Sequence, residues 1–175
     1  MIDIRPATPA DAAGIARVHV KVWQSTYRGI LPDDVLDEIS IDNREALWTD
    51  ILTAYTATHP VLVAEAFGEG ICGFGNVGPL RDDPIAGYTG EFKTLYLLPA
   101  YQRRGIGRDF LRRLAQLLLD HGHDSALAWV LAANPACGFY EAMGGEICGQ
   151  REEQSEEGDI IADVAYGWTN LAQLR

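Results

Sequence analysis

A chain of 175 residues with 47% hydrophobic side chains is long enough to bury a core without disulfides and too apolar to be mainly disordered. Its net charge of −11 argues against nucleic acid as a partner and mildly favours a neutral or cationic small molecule. Three cysteines without zinc-like spacing, no apolar run of membrane length and an N-terminus without a secretion signal lead to an expectation of a cytoplasmic protein with no metal site and no membrane partner.

Residues 2–5 alternate and predict a first strand. Thr8, Pro9 and Asp11 then offer a cap, a residue suited to the first helical position and an acid at the positive end of the dipole. Ile15, Val18, Val22 and Trp23 follow at helical spacing, and residues 27–32 end that helix. A second helical piece after Pro32 carries Val35, Leu36 and Ile39. A third starts near Asp42, with Glu45 in a capping-box-like position, and presents Leu47, Trp48, Ile51 and Leu52.

Residues 61–67 read as a strand, 68–70 as a tight turn and 71–77 as its glycine-rich hairpin partner. Residues 81–87 have loop chemistry, and 91–98 form a further strand. A long helix carries Phe110 to Leu119 and stops at Gly122. Residues 126–131 are a buried strand. A short helix opens at Pro135, runs to Met143 and stops at Gly144 and Gly145. Residues 146–154 and 159–168 close the chain as a hairpin around Glu156, Glu157 and Gly158. Glu152, Glu153, Glu156, Glu157 and Asp159 there read as a solvated face. No repeat or linker interrupts this order, which predicts one α+β (mixed α/β) domain over residues 1–175 and not a doubly wound parallel sheet.

Gln102-Arg103-Arg104-Gly105-Ile106-Gly107 stands between the strand ending Leu95-Tyr96-Leu97-Leu98 and the long helix. A helix start offers unpaired N–H groups and positive potential, and glycines let the backbone wrap an anion. Arg103, Arg104 and Arg108 add charge at the same end. The stretch is a diphosphate cradle by chemistry. It lacks the lysine of a P-loop, and Phe110 replaces the third glycine of a dinucleotide fingerprint. The form Gln/Arg-x-x-Gly-x-Gly/Ala fits every position. Downstream, Asn134 precedes a segment bearing Phe139-Tyr140 and a Gly144-Gly145 stop. In these two signatures the chain resembles the GNAT superfamily of N-acetyltransferases, and its element order matches that family over nearly all 175 residues. Gly138 departs from the family pattern, where a longer or charged side chain is commoner.

The resemblance implies the GNAT acyl-CoA N-acyltransferase fold, a central mixed, mostly antiparallel sheet flanked by helices. It implies acetyl-CoA as co-substrate and transfer of acetyl to a primary amine by direct attack in a ternary complex. Arg103, Arg104, Gly105, Ile106, Gly107 and Arg108 would hold the diphosphate. The main chain of Leu95, Tyr96 and Leu97 would meet the pantetheine and the thioester oxygen. Tyr140 would protonate the leaving thiolate, its other reading being a core aromatic. Asn134 would bond the pantetheine arm, or simply cap the turn before Pro135. Glu91 lies four residues before Leu95 and would share its face by strand alternation. It would be the base, or a solvated strand-end glutamate beside Lys93. Trp23, Tyr27 and Arg28 fall where the acceptor wall should be, and Cys137 reads as a small core residue. The acceptor is a small-molecule or peptide amine, and a homodimer is left open. The rivals are a longer acyl group and a non-catalytic acyl-CoA sensor.

Overall fold

A computed structural model describes residues 1–54, 57–81, 84–154 and 160–174, with the side chain of Glu153 outside that description. Strands β1 (Ile2–Pro6), β2 (Val61–Ala66), β3 (Gly70–Pro79), β4 (Gly90–Leu97), β5 (Ala126–Leu131), β6 (Glu146–Gln154) and β7 (Ile160–Trp168) make one sheet. Their order is β1-β2-β3-β4-β5-β7-β6. The β4–β5 pair is parallel and the other neighbours are antiparallel. The mixed, mostly antiparallel sheet expected from the sequence is therefore what forms.

Alternation along β2 separates two cores. Val61 and Val63 pack with Ile15, Val18 and Val22 of α1 (Ala12–Thr26) and with Trp48 and Leu52 of α3 (Ile41–Ala54). Leu62, Ala64 and Ala66 pack on the other face, with Phe110, Leu111, Leu114 and Leu118 of α4 (Ile106–Asp120) and Tyr140 of α5 (Cys137–Ala142). Those four α4 side chains recur at spacings of three and four and are at most 1% exposed. Each such burial contributes about 1.5–3 kcal/mol. A short α2 (Asp33–Asp37) follows Pro32 and buries Leu36.

Several expectations shift in detail. Helix α3 begins at Ile41, and its cap is Ser40, whose Oγ accepts the Asn43 N–H at 3.4 Å. Pro135 sits in a turn, and the helix after it starts at Cys137. The last strand is described from Ile160; Asp159 and the turn at Glu156, Glu157 and Gly158 lie outside the described residues, as do Asp82 and Asp83. A 3-10 turn at Leu171–Leu174, not anticipated, buries Leu171 and Leu174 in the α4 core.

The β3–β4 register carries the largest correction. Asn76 pairs with Thr94 and Val77 with Phe92, so Lys93 is an extra residue in β4. A bulge breaks the two-residue alternation and re-aims side chains. Leu97, Leu95 and Phe92 accordingly all pack in the α4 core, and Tyr96 packs in the α1 core. Glu91, next to Phe92, faces the α1 side. It does not share the face of Leu95, as simple alternation predicts.

Candidate active site

The parallel β4–β5 pair is in register at Gly90↔Ala126 and Glu91↔Leu127. Beyond these pairs the two strands separate and leave a fork. The Leu98 N–H donates to Cys72 O at 2.9 Å. The carbonyls of Tyr96 and Thr94 also point toward β3, where a Cβ on Gly73 or Gly75 would meet them at 2.9 and 3.0 Å. Main-chain groups of successive strand residues point to opposite edges. The N–H and C=O of Leu95 and Leu97 therefore face the fork, while those of Tyr96 serve the sheet. Gln102 ties the loop back to this strand end, its Nε2 donating to Leu97 O at 2.9 Å.

The cradle begins where Gly105 caps α4 in the left-handed region, at φ +82°. Arg103 also has positive φ, +59°, which costs a non-glycine residue about 1–2 kcal/mol. The first α-helical bond runs from the Asp109 N–H to Gly105 O at 3.1 Å. The N–H groups of Ile106, Gly107 and Arg108 precede it, and no side chain caps them. Ile106 is buried and anchors the loop, while Arg103, Arg104 and Arg108 stand exposed around the helix end. Arg104 lies over the Tyr101 ring at 5.5 Å. A Cβ on Gly107 would meet Phe139 of α5 at 3.4 Å, an ordinary van der Waals contact.

Tyr140 is 7% exposed and packs on Phe139, Tyr166 and Trp168. Its pKa is raised, first by burial and then by Tyr96 and Cys137. Asn134 is buried and its Oδ1 accepts the Ala136 N–H at 2.9 Å. The local turn thus uses its oxygen. The hydroxyl of Tyr27, the residue that caps the end of α1, lies near this side chain and near the Tyr96 hydroxyl. Burial, then Tyr96, raises the Tyr27 pKa. Trp23 Nε1 donates to the same Tyr96 hydroxyl at 3.2 Å. Three tyrosines, from the end of α1, from β4 and from α5, therefore lie near one another, with Asn134 beside Tyr27.

Glu91 is 1% exposed, so it is not a solvated strand-end glutamate. Its Oε2 accepts the Arg81 main-chain N–H at 3.0 Å and its Oε1 accepts Arg81 Nε at 2.8 Å. Lys93 Nζ lies 3.9 Å from Oε2. Arg28, expected on the acceptor wall, instead turns to Asp33 and Asp37 at 3.0 Å each. Cys137 is half-buried, with its Sγ directed at Leu131 O, 3.6 Å away.

Sequence reasoning missed the aromatic floor on the α1 side. His19 is buried among Trp23, Trp48, Phe74 and Tyr96, with ring centroids 5.4–6.1 Å away. Trp48 Nε1 donates to His19 Nδ1 at 3.0 Å. Burial, aided by Arg44, holds the His19 pKa down at about 4. It is a neutral imidazole with its proton on Nε2, and so a poor base. Nothing local in the sequence marks these contacts, because α1, α3, β3 and β4 supply one ring or more each.

Comparison with known proteins follows this geometry. The acetyltransferase (GNAT) family model matches residues 22–145. The uncharacterised N-acetyltransferase YuaI of Bacillus subtilis is 34% identical over all of this chain and 97% of its own length. The L-amino acid N-acyltransferase MnaT of Escherichia coli is 33% identical over 77% of this chain and 73% of its own. Among solved structures, yncA of Salmonella typhimurium with its cofactor acetyl-CoA aligns at a TM-score of 0.72. That alignment has 25% identity and covers 98% of this chain and 94% of yncA. The paia N-acetyltransferase of Thermoplasma acidophilum, in complex with coenzyme A, has the same fold at a TM-score of 0.70, 22% identity and coverage of 93% and 98%. A family match over most of the chain and a full-length relative at this identity make the chain a member of the GNAT acetyltransferase family, and hence an acyltransferase enzyme.

Proposed function

We propose that residues 1–175 act as one catalytic domain that transfers acetyl from acetyl-CoA to a primary amine, without a covalent enzyme intermediate. The observation that carries this reading is the juxtaposition of two backbone sites. The uncapped N-terminus of α4 is suited to a diphosphate, and the fork-facing N–H groups of Leu95 and Leu97 are suited to a pantetheine and a thioester oxygen. One linear ligand with a diphosphate at one end and a thioester at the other would use both, and the yncA structure holds such a ligand.

In this mechanism the diphosphate rests on the N–H groups of Gly105, Ile106, Gly107 and Arg108, with the Arg103, Arg104 and Arg108 side chains around it. Asn134 orients the pantetheine arm. The amine nitrogen attacks the thioester carbonyl carbon, and negative charge builds on the oxygen facing the β4 main chain. The C–S bond then breaks, and the sulfur takes a proton from the Tyr140 hydroxyl. A phenol whose pKa is raised stays protonated at neutral pH, as a donor must. The proton released by the amine passes through water toward Glu91, on the acceptor face, where Arg81 leaves carboxylate lone pairs to spare. Holding the reactants together supplies much of the acceleration.

Thiol release from acetyl-CoA in the presence of a broad amine panel tests the reading. Acceptor-dependent release is expected. Binding of acyl-CoA, seen as a rise in melting temperature, with no release from any amine would make the protein a sensor.

A further inference from the structure

Arg44 lies in the first turn of α3, its N–H bonded to Ser40 O at 3.1 Å. A cation there opposes the helix dipole. It is half-buried, and its guanidinium carbon stands 5.8 Å from the Trp23 ring centroid. Among the described residues no carboxylate comes within ion-pair distance of it, in a chain with 25 acidic and 14 basic residues. Arg5, Arg28 and Arg81, by contrast, all hold carboxylates. Neither the helix nor an ion pair accounts for its placement.

Its location suggests what does. Trp23 separates it from the Tyr96 hydroxyl, to which the indole N–H donates at 3.2 Å. Its charge acts on both Tyr96 and His19. Tyr96 is on the β4 face opposite the α4 core. The guanidinium therefore lies on the α1 side of the sheet, one indole away from the Tyr96 hydroxyl. Arg81, the other cation acting on Tyr96, has its guanidinium engaged by Glu91. A half-buried guanidinium held near an indole face keeps N–H donors suited to a planar anion.

We propose that Arg44 is a specificity-determining residue that receives an anionic group on the acceptor, so that the preferred acceptor is an amine carrying a carboxylate or a similar oxyanion. This rests on the acetyltransferase reading above.

The test compares one amine in three forms, carboxylate, phosphonate and neutral amide, with wild type, Arg44→Gln and Arg44→Lys. The readout is kcat/KM by thiol release. Wild type is expected to favour an anionic form over the amide by about 10- to 100-fold, and the ratio of carboxylate to phosphonate tells which oxyanion the site fits. Arg44→Gln should remove that preference while leaving the amide rate and the melting temperature unchanged, and Arg44→Lys should retain part of it. Equal losses on the anions and the amide, or a wild type indifferent to the anion, would overturn the assignment. If no form releases thiol, the acetyltransferase reading fails on its own. Arg44 is then judged by calorimetric titration of the CoA-loaded protein with the carboxylate amine. Binding lost in Arg44→Gln supports the assignment, and binding retained or absent in wild type overturns it.

Discussion

Arg81 grips both carboxylate oxygens of Glu91, one through its main-chain N–H at 3.0 Å and the other through Nε at 2.8 Å. The grip fixes a buried carboxylate on the α1 side of the sheet. If Glu91 is the sink for the amine proton, Glu91→Gln should lower kcat/KM by about 10²–10⁴ with little change in acetyl-CoA affinity. The deficit should widen at low pH, where the amine is mostly protonated. Arg81→Met should have a smaller effect, because the base survives. If Glu91 only holds Arg81 in place, the two variants should match. A Glu91→Gln pH–rate profile that overlays wild type would remove Glu91 from the chemistry.

The two cradle glycines should respond differently to alanine. Gly105 has φ +82°, so Gly105→Ala is strained by about 1–2 kcal/mol and should distort the N–H groups proposed to meet the diphosphate. A Cβ at Gly107 meets Phe139 at 3.4 Å, an ordinary contact, so Gly107→Ala should fold with little loss. Gly107→Glu would add a negative charge at the anion site and should abolish acetyl-CoA binding. Calorimetry on the folded variants checks each outcome, and a Gly107→Glu protein with wild-type affinity would refute the cradle.

The glycine loop at the start of α4 was legible in the sequence because it is local: six consecutive residues carry both the glycines and the charge. The helical spacing of Phe110, Leu111, Leu114 and Leu118 and the alternation of β2 were legible for the same reason. The face of Glu91 was not. A single extra residue at Lys93 inverts the alternation, and a bulge depends on how the neighbouring strand pairs. Arg81 on Glu91, Tyr27 beside Asn134 and Trp48 on His19 join residues 10, 107 and 29 positions apart. Such pairs are fixed by packing of whole elements and leave no trace in local pattern. The family resemblance supplied roles for Tyr140 and Asn134, but not the aromatic residues around them.

Tyr140→Phe should separate packing from chemistry. The ring lies 6.0 Å from both Tyr166 and Trp168, and phenylalanine keeps those contacts. Melting temperature and acetyl-CoA affinity should therefore hold. With an accepted amine, kcat should fall by about 10²–10⁴, less where water replaces the phenol. Unchanged kcat would make Tyr140 a core aromatic alone.

His19 should make stability depend on mildly acidic pH. Its folded pKa is about 4, against 6.5 for the free side chain, because the charged form is buried among aromatic rings and near Arg44. For a base with a depressed folded pKa, the unfolded chain binds the proton first. Stability from this site is therefore full above about pH 6.5 and declines as pH falls toward 4. Below the folded pKa both states are protonated and the decline ends. The shift corresponds to about 3 kcal/mol. Carboxylates titrate within part of the same range, so the quantity to measure is a difference. His19→Asn has no titrating proton, and its side-chain oxygen is suited to accept the Trp48 indole N–H. Urea unfolding of both proteins between pH 7.5 and about pH 4.5 should show the wild type losing more stability than the variant, with the gap opening below pH 6.5. Parallel losses would mean that His19 takes up its proton in the folded protein as readily as in the unfolded chain, and that the aromatic floor does not hold it neutral.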